Sequence, residues 1–168
     1  MRKIGIAVIA AGVLLGSSAS ANFINTDALY AMSIHGGAAM TSADGTSNTA
    51  TYFGFESNAR FGNEEKIVIG LGYTIEDLGG VTDTTMGSVL VKAGYEVISN
   101  MDVSLIGGFS LTDNLSGPTM GLAVEYQVLD YVSLEAKYQV SQLDPAVGTG
   151  FNVNSLMLGV GLNFRSSK

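Results

Sequence analysis

The segment Ser155-Leu-Met-Leu-Gly-Val-Gly-Leu-Asn-Phe164 alternates along its whole length. Leu156, Leu158, Val160, Leu162 and Phe164 fall on one face, and Ser155, Met157, Gly159, Gly161 and Asn163 fall on the other. A period of two belongs to a β-strand, and a strand with one bulky apolar face and one small or polar face separates a greasy environment from a tight or wet one. Seven segments upstream repeat the pattern, which restricts the chain to β architectures built from two-faced strands.

The expected strands are residues 29–38, 50–61, 66–76, 85–97, 102–112, 119–128, 131–143 and the closing 155–164. Short turns at 62–65, 98–101 and 129–130 take turns with longer connections at 41–49, 77–84, 113–118 and 144–152. An even number of strands, with short turns at one end and long loops at the other, describes an antiparallel up-and-down meander that closes on itself.

Arg2 and Lys3 precede an uncharged run over residues 4–16, and small residues follow as far as Ala19-Ser-Ala21. That layout predicts a secretory signal peptide, 1–21, cleaved after Ala21. Its apolar core is shorter than the roughly 20 residues a helical span requires. Residues 22–168 then form one domain. Without Arg2 and Lys3, 6 of the 8 basic residues remain against 15 acidic ones, a formal charge of −9. Such a chain is a poor ligand for nucleic acid. With 0 cysteines, neither thiol catalysis nor a Cys-based metal site is open to it.

Periodicity alone does not say whether the apolar face meets lipid or a soluble core, but the aromatic residues and the side-chain volumes do. Tyr30, Phe61, Tyr95, Tyr126 and Phe164 fall near the short-turn ends of the strands, and Phe53, Tyr73, Phe109 and Tyr138 near the loop ends. Two girdles of rings around an aliphatic band suit a bilayer, because amphipathic rings prefer the interface. The opposite face mixes Gly54, Gly70, Gly72, Gly94, Gly108, Gly121, Ala123, Gly159 and Gly161 with Glu56, Arg60, Lys92, Glu96, Glu125, Glu135 and Lys137. Small residues beside a few long charged ones can fill the narrow interior of an eight-stranded barrel. A lipocalin-like soluble barrel would place the glycines outside, where they contribute little. The fold class expected is therefore all-β, an eight-stranded antiparallel transmembrane β-barrel.

On these features the chain resembles the small outer-membrane β-barrel family, the type seen in the transmembrane domain of outer membrane protein A and in porin-family and opacity-like relatives. Met157-Leu-Gly159-Val-Gly-Leu162-Asn-Phe164 is similar to that family's C-terminal assembly signal, with Gly159, Leu162 and Phe164 at the matching positions. It departs in having Met157 where a polar residue is usual and in continuing past the aromatic through Arg165 to Lys168. The resemblance implies a bacterial outer-membrane location, lipopolysaccharide and lipid as surroundings, the barrel-assembly machinery as a partner, and a monomer. It also leaves open an extracellular ligand at the loops.

Chemistry is expected mainly in the lumen. Arg60, Lys92 and Lys137 should find partners among Glu56, Glu96, Glu125 and Glu135, because an unpaired charge in a dry interior costs several kcal/mol. Such a network plugs the barrel; if its ions swap partners it becomes the gate of a narrow channel for small solutes or ions. His35, with Ser33 two residues before it, raises a lipid A-modifying activity as an alternative, but Ser and His at i and i+2 on a strand are poorly placed for proton transfer. No enzyme activity, metal or cofactor is expected. Asp44, Asp77, Asp83, Asp113 and Asp144 lie in connections without Lys or Arg. They keep those connections solvated, or contact lipopolysaccharide phosphates through divalent cations. Gly70-x-Gly72 and Gly159-x-Gly161 lack the third glycine of a nucleotide-binding loop and sit within strands.

Overall fold

The computed structural model describes residues 29–43, 45–61, 64, 66–78, 85–145 and 150–165. The expected signal peptide lies outside the described residues. The chain forms eight strands: β1 (Leu29–Ala43), β2 (Thr46–Phe61), β3 (Ile67–Asp77), β4 (Thr85–Ile98), β5 (Met101–Leu111), β6 (Leu115–Leu129), β7 (Val132–Pro145) and β8 (Phe151–Arg165). Each pairs antiparallel with its sequence neighbour, and β8 pairs with β1 from Ala31↔Arg165 to Ser42↔Asn154, closing a barrel. Closure leaves no free sheet edge along the shared length, so backbone polar groups are satisfied between strands.

Alternation settles the two faces. Leu105, Leu122, Leu134, Leu158 and Val160 point outward and are about half exposed, while Ser104, Ala123, Ser133, Met157 and Gly161 point inward and are buried. The side chains expected inside, from Glu56 to Lys137, all lie on the inward parity.

The connections differ from the expected alternation of long and short. Residues 41–43 and 46–49 are strand, not loop, and Gly45, immediately before β2, has a φ of 78°. Only glycine enters that left-handed region without steric cost. The sequence hides this extension because Thr41, Ser42, Thr46, Ser47, Asn48 and Thr49 are polar on both faces, which removes the amphipathic signal while leaving residues that pair well. Residues 115–118 also join a strand, β6, despite Pro118. Pro118 stands opposite Phe109, but the β6–β7 register passes from Ser116↔Asp144 to Thr119↔Ser141 without a pair at residues 117 and 118. A proline without an N–H is accommodated where the ladder is already interrupted. β7 and β8 likewise extend into the expected 144–152 loop, leaving 146–150 between them.

Candidate functional site

The inward face is stratified along the barrel axis. Nearest the loop end, Ala43, Leu78, Met86, Leu143 and Val153 form an apolar cluster backed by Leu115. Its members come from β1, β4, β7 and β8 and from Leu78 just past β3, so it spans the lumen from several sides. Burial there is complete or nearly so, which stabilises the cluster by removing apolar area from water.

Below it lies a layer of hydroxyls. Ser110 bonds Ser88 at 2.7 Å, Thr119 at 3.0 Å and Ser141 at 3.1 Å, and Gln139 Nε2 donates to Ser88 and Ser141 at 3.1 Å each. Thr119 and Ser141 also bond each other, and Thr41 donates to the carboxylate of Glu76. Gln139 reaches across the cylinder, because Ser88 belongs to β4 and Gln139 to β7. A connected network of this kind fixes rotamers and register, although Gln139 Oε1 and Glu76 Oε2 stay buried without a hydrogen-bond partner.

Towards the middle, Tyr52 packs with Ala39 and Met157, and Leu90 with Ile106 and Ala123. Among them runs the ionic layer. Lys92 Nζ lies 2.5 Å from Glu56 Oε1 and 3.2 Å from Glu125 Oε2. Lys137 Nζ is 2.6 Å from Glu135 Oε1, and His35 Nδ1 is 3.2 Å from Glu135 Oε2. Asn58 donates to Glu56 at 2.7 Å. Nearest the turn end, Arg60 holds Glu96 at 3.1 Å and also bonds Asp102.

Lys137 and Glu135 are both on β7, but the other ion pairs of this layer join strands that are not neighbours. Lys92 (β4) meets Glu56 (β2) across β3, whose inward residues opposite them are Gly70 and Gly72. His35 (β1) meets Glu135 (β7) across β8, whose residues opposite them are Gly161 and Gly159. The glycines are needed for space: a Cβ on Gly54 would strike the His35 ring, and one on Gly159 the Tyr52 hydroxyl. The two Gly-x-Gly pairs thus stand opposite the residues of the bridges that skip a strand.

The seven expected lumenal residues all join ion pairs, in the groups Lys92–Glu56–Glu125, Lys137–Glu135 and Arg60–Glu96. Sequence reasoning missed Asp102 as a partner of Arg60, His35 as a partner of Glu135, and Glu76 and Tyr52 as buried inward groups. Asp102, His35 and Glu76 share the inward parity of their strands, so alternation carried that information. Ser33 and His35 share a face, but the imidazole Nδ1 is turned to Glu135.

On the outer face, Phe53, Phe109 and Tyr138 towards the loop end, and Tyr95, Tyr126 and Phe164 towards the turn end, are exposed. Phe61 is half-buried. Tyr73 is the correction: it has outward parity but is only 3 % exposed. Its ring packs against Phe55 at 5.5 Å and covers Gly87, whose missing side chain leaves the space. Tyr73 therefore serves the wall and does not present a ring to the surroundings. The Tyr30 side chain lies outside the described residues, and Tyr131, not among the expected girdle residues, is exposed. In β8, Leu162 and Phe164 point outward and Gly159 inward. Among the described residues, no group of three or more His, Cys, Asp or Glu is placed to hold a metal ion.

No protein-family model and no curated protein matches the sequence. Solved structures do match the fold. The attachment invasion locus protein Ail of Yersinia pestis, in complex with the heparin analogue sucrose octasulfate, aligns with a TM-score of 0.59 at 14% identity, covering 83% of this chain and 100% of Ail. Neisserial surface protein A aligns with a TM-score of 0.53 at 18% identity, covering 82% of this chain and 99% of that one. The outer membrane protein OprG of Pseudomonas aeruginosa aligns at 0.51 and 14% identity, covering 81% and 96%. The chain has the closed, all-antiparallel fold of the small eight-stranded outer-membrane barrels.

Proposed function

We propose that this protein is an integral barrel of the bacterial outer membrane, exported by a cleaved signal peptide, with a structural or surface-interaction role and a lumen that serves as a packed core. One observation carries the reading: outward side chains form an aliphatic band bordered by aromatic rings, while the inward side packs the Ala43–Leu78–Met86–Leu143–Val153 cluster above an ion-paired layer. The first face suits hydrocarbon, and the second packs apolar, hydroxyl and ion-paired layers one above another. The test is recovery of the protein from outer membranes in a form whose gel migration changes on boiling, together with the absence of conductance steps in planar bilayers. Recovery in detergent-free periplasmic extract would sink the reading.

The surface available for recognition is the loop end. Its connections contain acids and no Lys or Arg. A polyanion of the kind bound by Ail would therefore meet no counter-charge there, whereas lipopolysaccharide phosphates bridged by divalent cations are compatible with hard carboxylate ligands. Lipid, lipopolysaccharide and the assembly machinery, to which β8 presents its terminal Leu162 and Phe164, are the partners of this reading.

A second reading, a narrow gated channel, is favoured by one feature. Lys92 holds two carboxylates from different strands, Glu56 on β2 and Glu125 on β6, so its ammonium can shift between them. Steps seen with the wild type and altered by Glu125→Ala would establish it. No enzymatic role is assigned: His35 is enclosed and its Nδ1 faces Glu135. A changed lipid A acyl pattern on His35→Ala would overturn that assignment.

A further inference from the structure

The turn end of the barrel is asymmetric. At the β4–β5 turn the ladder slips between Glu96 and Ile98, and at the β6–β7 turn between Gln127 and Leu129. A bulge of this kind breaks the strict alternation, so consecutive residues share a side. Val97 and Ile98 are both exposed as a result, as are Val128 and Leu129, and Tyr131 follows at 61%. The two turns are tied together, because the Gln127 N–H donates to the Asn100 carbonyl at 2.8 Å. Their exposed apolar side chains extend the outward band past Tyr95 and Tyr126, with Ser99, Asn100 and Asp130 exposed at the turn tips.

The remaining turn at this end, between β2 and β3, is of opposite character. Its sequence is Gly62-Asn-Glu-Glu-Lys66, and the described Glu64 and Lys66 form an exposed ion pair. One side of the rim carries Ile98, Leu129 and Tyr131 where the other carries charges.

We propose that the β4–β7 side of the turn end is a membrane-interface wedge. It sinks into the headgroup region of the phospholipid leaflet on that side, inclining the barrel so that the 62–66 turn stays in water. Phospholipid is the occupant because the exposed Val97, Ile98, Val128 and Leu129 follow on along the same strands from Tyr95 and Tyr126 of the outward band, and because tyrosine and aliphatic side chains beside a few polar turn residues match the interface, where a ring meets hydrocarbon at one end and water at the other. A transmembrane element whose anchors are unequal around its circumference settles at a tilt. The proposal rests on the outer-membrane reading above and adds an orientation to it.

The absence of native cysteine allows single-site labelling of the full barrel. Ile98→Cys, Leu129→Cys, Glu64→Cys and, as a reference in the middle of the band, Leu105→Cys are each labelled with an environment-sensitive fluorophore and reconstituted in phosphatidylcholine vesicles. Vesicles carry a quencher either near the headgroup or deep in the acyl chain. The expected result is a loss of fluorescence at Ile98 and Leu129 with the shallow quencher, little loss at Glu64, and strong loss at Leu105 with the deep one. Equal quenching at all three turn sites, with Leu105 quenched, overturns the inclination and leaves the barrel in the membrane. Unquenched labels at Ile98 and Leu129, with Leu105 quenched, overturn lipid as the occupant. An unquenched Leu105 overturns the membrane reading itself.

Discussion

Outward and inward positions on the same strand obey different rules, and the contrast is sharpest on β8 and β4. On the outer face of β8, Leu156, Leu158, Val160 and Leu162 differ in shape but perform one task, presenting hydrocarbon. The requirement there is a property shared by a class of residues. On the inner face of β4, Lys92 is held by Glu56 and Glu125 and stands opposite a glycine, so the requirement is a particular side chain at a particular place. Substitution within the apolar class should be tolerated outside, and almost any substitution should be felt inside.

Four experiments break or sharpen that contrast, beginning with the largest effect. Lys92→Met leaves Glu56 and Glu125 buried without their cation, a loss of roughly 3–5 kcal/mol, read as a lower urea midpoint for unfolding from lipid vesicles. Adding Glu56→Leu should recover a large part of that loss; an unaltered midpoint in the single variant would show that the pair is hydrated and contributes little. Leu158→Arg places a cation in the middle of the outer band and should cost roughly 2–4 kcal/mol in a bilayer. The same variant in detergent micelles, where solvent reaches the site more readily, should lose less, and equal losses would count against lipid contact at Leu158.

Thr119→Val removes a hydroxyl that joins Ser110 and Ser141, for a loss of about 1–2 kcal/mol. Combining it with Ser141→Ala should be less than additive, because the two groups share one network. The smallest effect belongs to the exposed Glu64–Lys66 pair. The ammonium of Lys66 bonds the Glu64 carboxylate and lowers its pKa below the ordinary carboxylate value. A carboxylate depressed in the folded state stabilises above its unfolded-state pKa, and that contribution is lost as pH falls through the folded-state value. Both groups are in solvent, so Glu64→Gln should leave the neutral-pH midpoint unchanged and only flatten the acid limb of the stability profile. A clear loss at neutral pH would mean that the turn contributes more than its exposure suggests.

How much could be read from the chain follows from the same contrast. Strand count and the parity of the two faces were legible, because period-two alternation depends only on sequence spacing. The ends of β1 and β2 were not, since residues 41–43 and 46–49 are polar on both faces. Tyr73 had the right parity for a girdle, but its burial depends on Gly87 across the β3–β4 pair and on Phe55 across the β2–β3 pair. Asp102 was passed over in favour of nearby glutamates because reach within a cylinder is set by closure, not by residue type.

The amino-acid sequence by itself determined eight two-faced strands, each with one apolar and one small or polar side, because side chains on a pleated strand point to alternate sides whatever it pairs with. Only the tertiary structure decided which charge meets which. Closing the sheet brings β2 to β4 across the glycines of β3, and β1 to β7 across those of β8. Those distances come from register and curvature, which no local pattern encodes.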